Sequence, residues 1–358
     1  MVVTGLLLGA ALGFVMQRGR FCVTGAFRDV WIARRTRWLT AFFVVIAIQS
    51  AGVFALQSAG VLTLPTSNLA LPAVLVGSLL FGVGIVLAGG CATGTYYRSG
   101  EGLVGSWIAL GLYALFASVM KHGALAGVND SFRAQRVEAS TLHGSLGVSP
   151  WVLVTVLLVG TGAAVWWHLS RRKKVAQLPA RHTGLRHWLF EKPWDPFVTA
   201  VLVAVIAIAA YPLSFATGRE SGLGITTPSA NIVSFLVTGD LDFARSWSVM
   251  LVLGILVGSY AAAKGAGEFK IRVPDARTTV RAIAGGTLMG VGAAWAGGCT
   301  IGNSMVQTAQ FSFQGWLALL FTFLGVGLGA RLFITSHRRT GALTSPAATA
   351  AAPQPARV

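Results

Sequence analysis

The chain has 358 residues, of which 54% are hydrophobic and 11% charged, with a mean hydropathy of +0.69. A soluble domain carries about 25% charged residues, so a water-soluble fold of this size is excluded. The net charge of +17 comes from 28 Lys and Arg against 11 Asp and Glu. These basic residues sit between apolar blocks and no nucleic-acid motif accompanies them, so they are read as setting orientation in a bilayer and not as binding nucleic acid.

A helix needs about 20 apolar residues to cross the hydrocarbon core. Nine segments qualify in chain order: 2–16, 38–63, 71–90, 102–120, 151–169, 197–217, 247–263, 282–298 and 315–330. No basic run precedes the first, which is expected to be a membrane segment and not a cleaved signal. Trp38, Trp151, Trp247 and Trp316 stand at span starts, where interfacial anchors are common. Stretches 21–31, 91–97, 231–238 and 299–313 are too short or too polar to cross alone. The expected fold is therefore an all-α polytopic membrane protein with nine transmembrane helices and short re-entrant half-helices.

Alternate connections carry 23 Lys and Arg on one side and 5 on the other. The positive-inside rule then places the N-terminus outside and the C-terminus inside. The connection 170–196 holds Arg171, Arg172, Lys173 and Lys174, and its later part, with Trp188, Phe190 and Trp194, is expected at the interface. The tail from Thr340 is rich in Ala, Pro, Thr and Ser and is expected to be disordered.

Residues 80–94 read LFGVGIVLAGGCATG and residues 288–302 read LMGVGAAWAGGCTIG; at a constant offset of 208, nine of the fifteen positions are identical. A weaker echo aligns Arg20–Thr24 with Gly222–Thr226 and puts Gly224 where the first copy has Cys22. Five spans separate the stronger copies, so they are expected to run in opposite directions. Inverted repeats with interrupted, glycine-rich segments point to a transporter binding site. The expected organisation is a first repeat over 1–120, a connector with the fifth span and the basic loop over 121–196, a second, inverted repeat over 197–335, and a tail over 336–358.

Each Gly-Gly-Cys closes an apolar span. Two adjacent glycines, each about 1 kcal/mol worse than alanine in a helix, favour a break. A half-helix restarting at the cysteine would turn free amides and its positive dipole end to the path, which suits an anion without any charged side chain. Such backbone is tolerated at membrane depth only where protein or a water-filled cavity satisfies it. The candidate substrate-binding residues are Cys22, Cys91 and Cys299, with Gly90, Gly298, Thr93 and Asn303 around them. A lone membrane cysteine is usually a small buried hydrophobe, but two matched copies argue otherwise for Cys91 and Cys299; Cys22 rests on its setting in MQRGRFC. Arg20, Arg98 and Arg219 are candidates for attracting an anion, set against the plainer role of topology determinants; Glu220 beside Arg219 weakens that case. The three cysteines form no C-x-x-C pair, so no metal site is read. No carboxylate or histidine lies inside a span except His168 at one end, which argues against a proton relay. No catalytic group and no cofactor are expected.

MQRGRFC, LAGGCATG and WAGGCTIGNS together resemble the YeeE/YedE family of sulfur transport proteins, over roughly residues 1–335. The resemblance implies an inner-membrane protein that takes up thiosulfate, built from inverted halves, whose short loops dip toward the centre and whose cysteines pass the ion along Cys299, Cys91 and Cys22. It also implies a link, in some members, to a separate TusA-like sulfur carrier; no appended carrier domain is read in the Ala/Pro tail. Two other readings stay open: a transporter of a selenium compound or soft metal, and a membrane thiol enzyme acting as a persulfide sulfurtransferase, which would need a low-pKa thiolate.

Overall fold

The structure is a computed structural model and describes residues 2–66, 68–171 and 184–335. The basic run from Arg172 to Lys174 and the tail 336–358 lie outside the described residues. Among the described residues there are no strands, only three isolated bridges.

Twelve helices carry the architecture: α1 Val2–Gly19, α2 Val23–Ala33, α3 Arg37–Ser58, α4 Leu71–Leu87, α5 Ala92–Gly100, α6 Val104–Lys121, α7 Pro150–Ser170, α8 Pro196–Phe215, α9 Thr226–Thr238, α10 Trp247–Gly265, α11 Ala276–Ala296 and α12 Phe313–Ala330. Short helical turns fill the connections, among them Ala126–Arg133 and the wide-wound Gly302–Gln307. The chain is a multi-pass membrane protein. Eight stretches are long and apolar enough to cross a bilayer, three of which merge a long helix with the short one after it (Val3–Ala33, Leu71–Gly100 and Phe313–Thr335).

The expectation of nine such stretches is corrected at α11. Its 21 residues are long enough, but they include Arg277 and Arg281 and many Ala, Gly and Thr in place of branched aliphatics. Small residues lower its hydropathy because this helix packs on protein, against α4 on one side and α6 on the other. α7 is the opposite case: little of it is buried and its apolar side chains face outward.

The pairing of helices interchanges between the halves, with α3 and α10, α4 and α11, and α6 and α12 corresponding at the 208-residue offset and α1 and α8 at a shorter one. α1 packs on α10 as α8 packs on α3, and α4 packs on α12 as α11 packs on α6. α4 and α11 approach closely, and a Cβ on Gly77 would lie 2.7 Å from the Gly292 carbonyl and one on Gly84 would lie 3.0 Å from the Gly285 carbonyl. Gly285 and Gly292 are the offset partners of Gly77 and Gly84, so the two contacts exchange. Small residues here let backbones meet, as membrane helices require.

Candidate functional site

Three breaks in the helices build the site. α1 ends where Arg20 takes a left-handed backbone (φ 52°), and Cys22 then stands extended before α2. α4 ends at Gly89 (φ 73°) and α11 at Gly297 (φ 78°), the left-handed closing position that glycine adopts at least cost. Cys91 follows in an extended conformation and caps α5 with its sulfur, which accepts the Gly94 N–H at 3.4 Å. A thiol thus stands where a serine or aspartate oxygen usually caps a helix. The next amides, of Ala92 and Thr93, have no acceptor within a helix that begins there.

All three cysteines are free and buried, and they share one core. The Cys22 and Cys91 sulfurs both lie against Gly94, and Thr300 stands next to Cys299 in the chain. A Cβ on Gly94 would stand 3.3 Å from Cys22 Sγ and 3.4 Å from Cys91 Sγ. Around these sulfurs the buried hydroxyls of Thr24, Thr93, Thr300 and Ser304 have no hydrogen-bond partner among the described residues. Each would bond a polar guest, and leaving such a group unsatisfied costs about 1–3 kcal/mol.

The other expected residues fall into place unequally. Gly90 and Gly298 sit tight against the turn that follows them; a Cβ on Gly298 would come 3.0 Å from Asn303 Oδ1. Asn303 fastens the hinge: its Nδ2 donates to the Ala296 carbonyl at 2.8 Å and to the Gly298 carbonyl at 3.2 Å, while Oδ1 accepts from Gln314 at 3.0 Å. Arg98 donates to the Gly89 carbonyl and lies close to Cys22 and Cys91. Arg20 is exposed and pairs with Glu101 at 3.6 Å and Glu268 at 2.9 Å. Arg219 donates to the Gly222 carbonyl at 2.9 Å, and a Cβ on Gly224 would come 2.5 Å from its Nη2. A guanidinium therefore occupies the place beside Gly224 that corresponds to the thiol of Cys22. Burial works against the Arg219 charge and lowers its pKa. An apolar cleft of ≈ 450 Å³ lined by Leu39, Phe43, Leu153 and Leu157 lies between α3 and α7 and includes none of the cysteines.

Residues 18–328 match the family described as Sulphur transport. The chain belongs to the sulphur transport family. It is 51% identical over 349 residues, covering 97% of this chain and 99% of the relative, to the thiosulfate transporter TsuA of Escherichia coli (strain K12). It is 33% identical over 340 residues, 91% of this chain and 97% of the relative, to the thiosulfate transporter TsuA of Spirochaeta thermophila. The probable transporter YedE of Escherichia coli matches at 43% over 102 residues, 28% of this chain and 25% of the relative.

Near the second cysteine break, sequence reasoning missed two cations. Lys121, at the end of α6, donates to Thr227 Oγ1 at 2.7 Å and lies near Arg219, Arg133 and Cys299. Arg133, on the short helix Ala126–Arg133, donates to the Trp295 carbonyl at 2.5 Å beside the Gly297 hinge; burial and the nearby Arg136 lower its pKa. Basic residues in a polar connection look like orientation signals, and only the fold brings these two to the second cysteine break.

Proposed function

We propose that this protein takes up thiosulfate across the bacterial inner membrane, its N-terminus outside and its C-terminus inside, through two inverted halves. The observation that carries the reading is that Cys22, Cys91 and Cys299 are buried in one core, with the Cys22 and Cys91 sulfurs both against Gly94 and the hydroxyls of Thr24, Thr93 and Thr300 buried without a partner among the described residues. The names of the two full-length relatives support the substrate.

An anion approaching from outside meets charge first. Lys121, Arg219 and Arg133 gather near Cys299, and such a cluster raises the local concentration of an anion. Further in, the ion meets thiols, hydroxyls and helix-start amides instead of cations. Thiol donors are weak, and a path of weak stations lets the ion leave each one. Cys299, Cys91 and Cys22 would serve in that order, through hydrogen bonds from S–H to the sulfur or oxygen atoms of the ion, with no covalent step. A separate TusA-like carrier receiving sulfur on the inner side belongs to the same proposal and rests on the family resemblance.

Replacing Cys91 with alanine tests the path. In cells whose only sulfur source is thiosulfate and which lack other sulfate and thiosulfate uptake systems, Cys91→Ala is expected to be present in the membrane at normal level yet to support little growth. Wild-type uptake by this variant would sink the cysteine path.

A further inference from the structure

One carboxylate oxygen near the break after α1 has an unusual set of partners. Glu268 Oε2 accepts from Gln17 Nε2 at 2.8 Å and from Arg20 Nη2 at 2.9 Å, and it lies 3.5 Å from Arg18 Nη1. All three donors come from the last turn of α1 and the residue after it, while Glu268 lies on the connection after α10. A second carboxylate joins from the side: Glu101 Oε1 lies 3.3 Å from Gln17 Nε2 and 3.6 Å from Arg20 Nη1.

Two of the three donors are better fixed than the occupant. Gln17 is fully buried and Arg18 nearly so. Arg18 is held further by its bonds to the Leu189 and Phe190 carbonyls, both 2.8 Å. The Glu268 side chain is 34% exposed and that of Arg20 57%, so water reaches their pair, and ion pairs so exposed are weak and screened by salt. The charges also suit an anion. When Glu268 leaves, two guanidinium groups face the one remaining carboxylate, Glu101, so the cradle is left net positive toward an anion. The group is continuous with the cysteines, because Arg20 stands two residues before Cys22 and Arg98 lies near both Cys22 and Glu101.

We infer that Gln17, Arg18 and Arg20 form a second binding station, an oxyanion cradle at the inner end of the path, and that Glu268 is its exchangeable internal occupant. The ligand class is a small tetrahedral oxyanion carrying two negative charges. The ion displaces Glu268 on arrival, and the return of the carboxylate expels the ion toward water. This placement rests on the uptake reading, because that reading makes this mouth the exit.

The test compares Glu268→Gln and Arg20→Gln with the wild type, using labelled thiosulfate in right-side-out and inverted membrane vesicles. Removing the competing charge should lower the half-saturating concentration on the inner face by about fivefold, the worth of an exposed ion pair, with the outer face unchanged. Arg20→Gln should raise the inner value and also leave the outer one alone. An unchanged inner value in both variants, or equal changes on both faces, overturns the cradle. Binding of labelled sulfate to the purified full-length chain is a second readout: it should tighten in Glu268→Gln and weaken again when Arg20→Gln is added. That pattern upholds the cradle even where wild-type vesicles carry no thiosulfate, a result that defeats the uptake reading alone; binding that ignores both substitutions counts against the cradle.

Discussion

The backbone of Gly94 lies directly against the sulfur of Cys22, and it is the absence of a side chain there that lets the first two thiols share one space. A Cβ at this position would lie 3.3 Å from Cys22 Sγ and 3.4 Å from Cys91 Sγ. Its offset partner Gly302 faces open space, with nothing within 4 Å: the Cys299 sulfur does not reach it, and Gly224 stands where the first half has Cys22.

Gly94→Ala therefore separates chemistry from stability. Alanine favours a helix over glycine by about 1 kcal/mol, and Gly94 is not among the residues with positive φ. The variant should fold, with melting in detergent within a few degrees of wild type, while thiosulfate uptake drops about tenfold or more as the methyl group crowds the ion's place. Gly302→Ala should change uptake far less. Equal loss in both variants would mean that Gly94 serves packing alone.

The hinge glycines make a different prediction. Gly89 and Gly297 hold φ of 73° and 78°, and a side chain in that conformation costs roughly 1–2 kcal/mol. At Gly297 the added Cβ would also come 2.7 Å from Arg133 Nη1, whereas at Gly89 the nearest such atom, Arg98 Nη1, is 3.8 Å away. Gly297→Ala should lose more thermal stability than Gly89→Ala, and adding Arg133→Ala should restore part of the difference. A larger loss in Gly89→Ala would show that the Arg133 contact does not matter.

Much of the fold was legible because a membrane span leaves a plain signal: long apolar runs gave the helices, and adjacent glycines before a cysteine gave the breaks. α11 was the hard case, since a helix wrapped by protein can use small residues in place of oily ones. The site was legible only where it lies within one motif. The three cysteines are buried in one core, with Cys22 and Cys91 close together at Gly94, while Asn303 turns inward to fasten its own hinge, using carbonyls seven and five residues back. Lys121, Arg133 and Glu268 carried no local mark. Each joins the path from a separate element, and such partnerships arise only from tertiary packing.

The outer cations predict a salt effect. Lys121 is fixed by Thr227, and Arg219 by the Gly222 carbonyl. If they draw the anion in, Lys121→Ala or Arg219→Gln should raise the outer half-saturating concentration about tenfold at low ionic strength. The difference from wild type should shrink as salt is added, since screening acts within about 10 Å at 0.1 M. Maximal rate should change little. A loss of maximal rate with no salt dependence would instead assign these residues to structure.

Glu101 gives the inner mouth a pH dependence whose sign can be worked out. Burial raises its carboxyl pKa above the ordinary value, and Arg20, Gln17 and Arg98 oppose the rise while Glu268 adds to it. A raised carboxyl takes up its proton at a higher pH than an exposed glutamate does. Ionised Glu101 is thus a cost to the fold, so its contribution to stability is present at low pH and is lost as pH rises through the folded value. Proton uptake also removes one of the two charges that neutralise Arg18 and Arg20. Acidifying the inner side should therefore tighten anion binding there, seen as a falling half-saturating concentration in inverted vesicles. Glu101→Gln should show the tight value at every pH in that window, and Glu268→Gln should keep the dependence. A pH response that survives Glu101→Gln would assign the titration to another group.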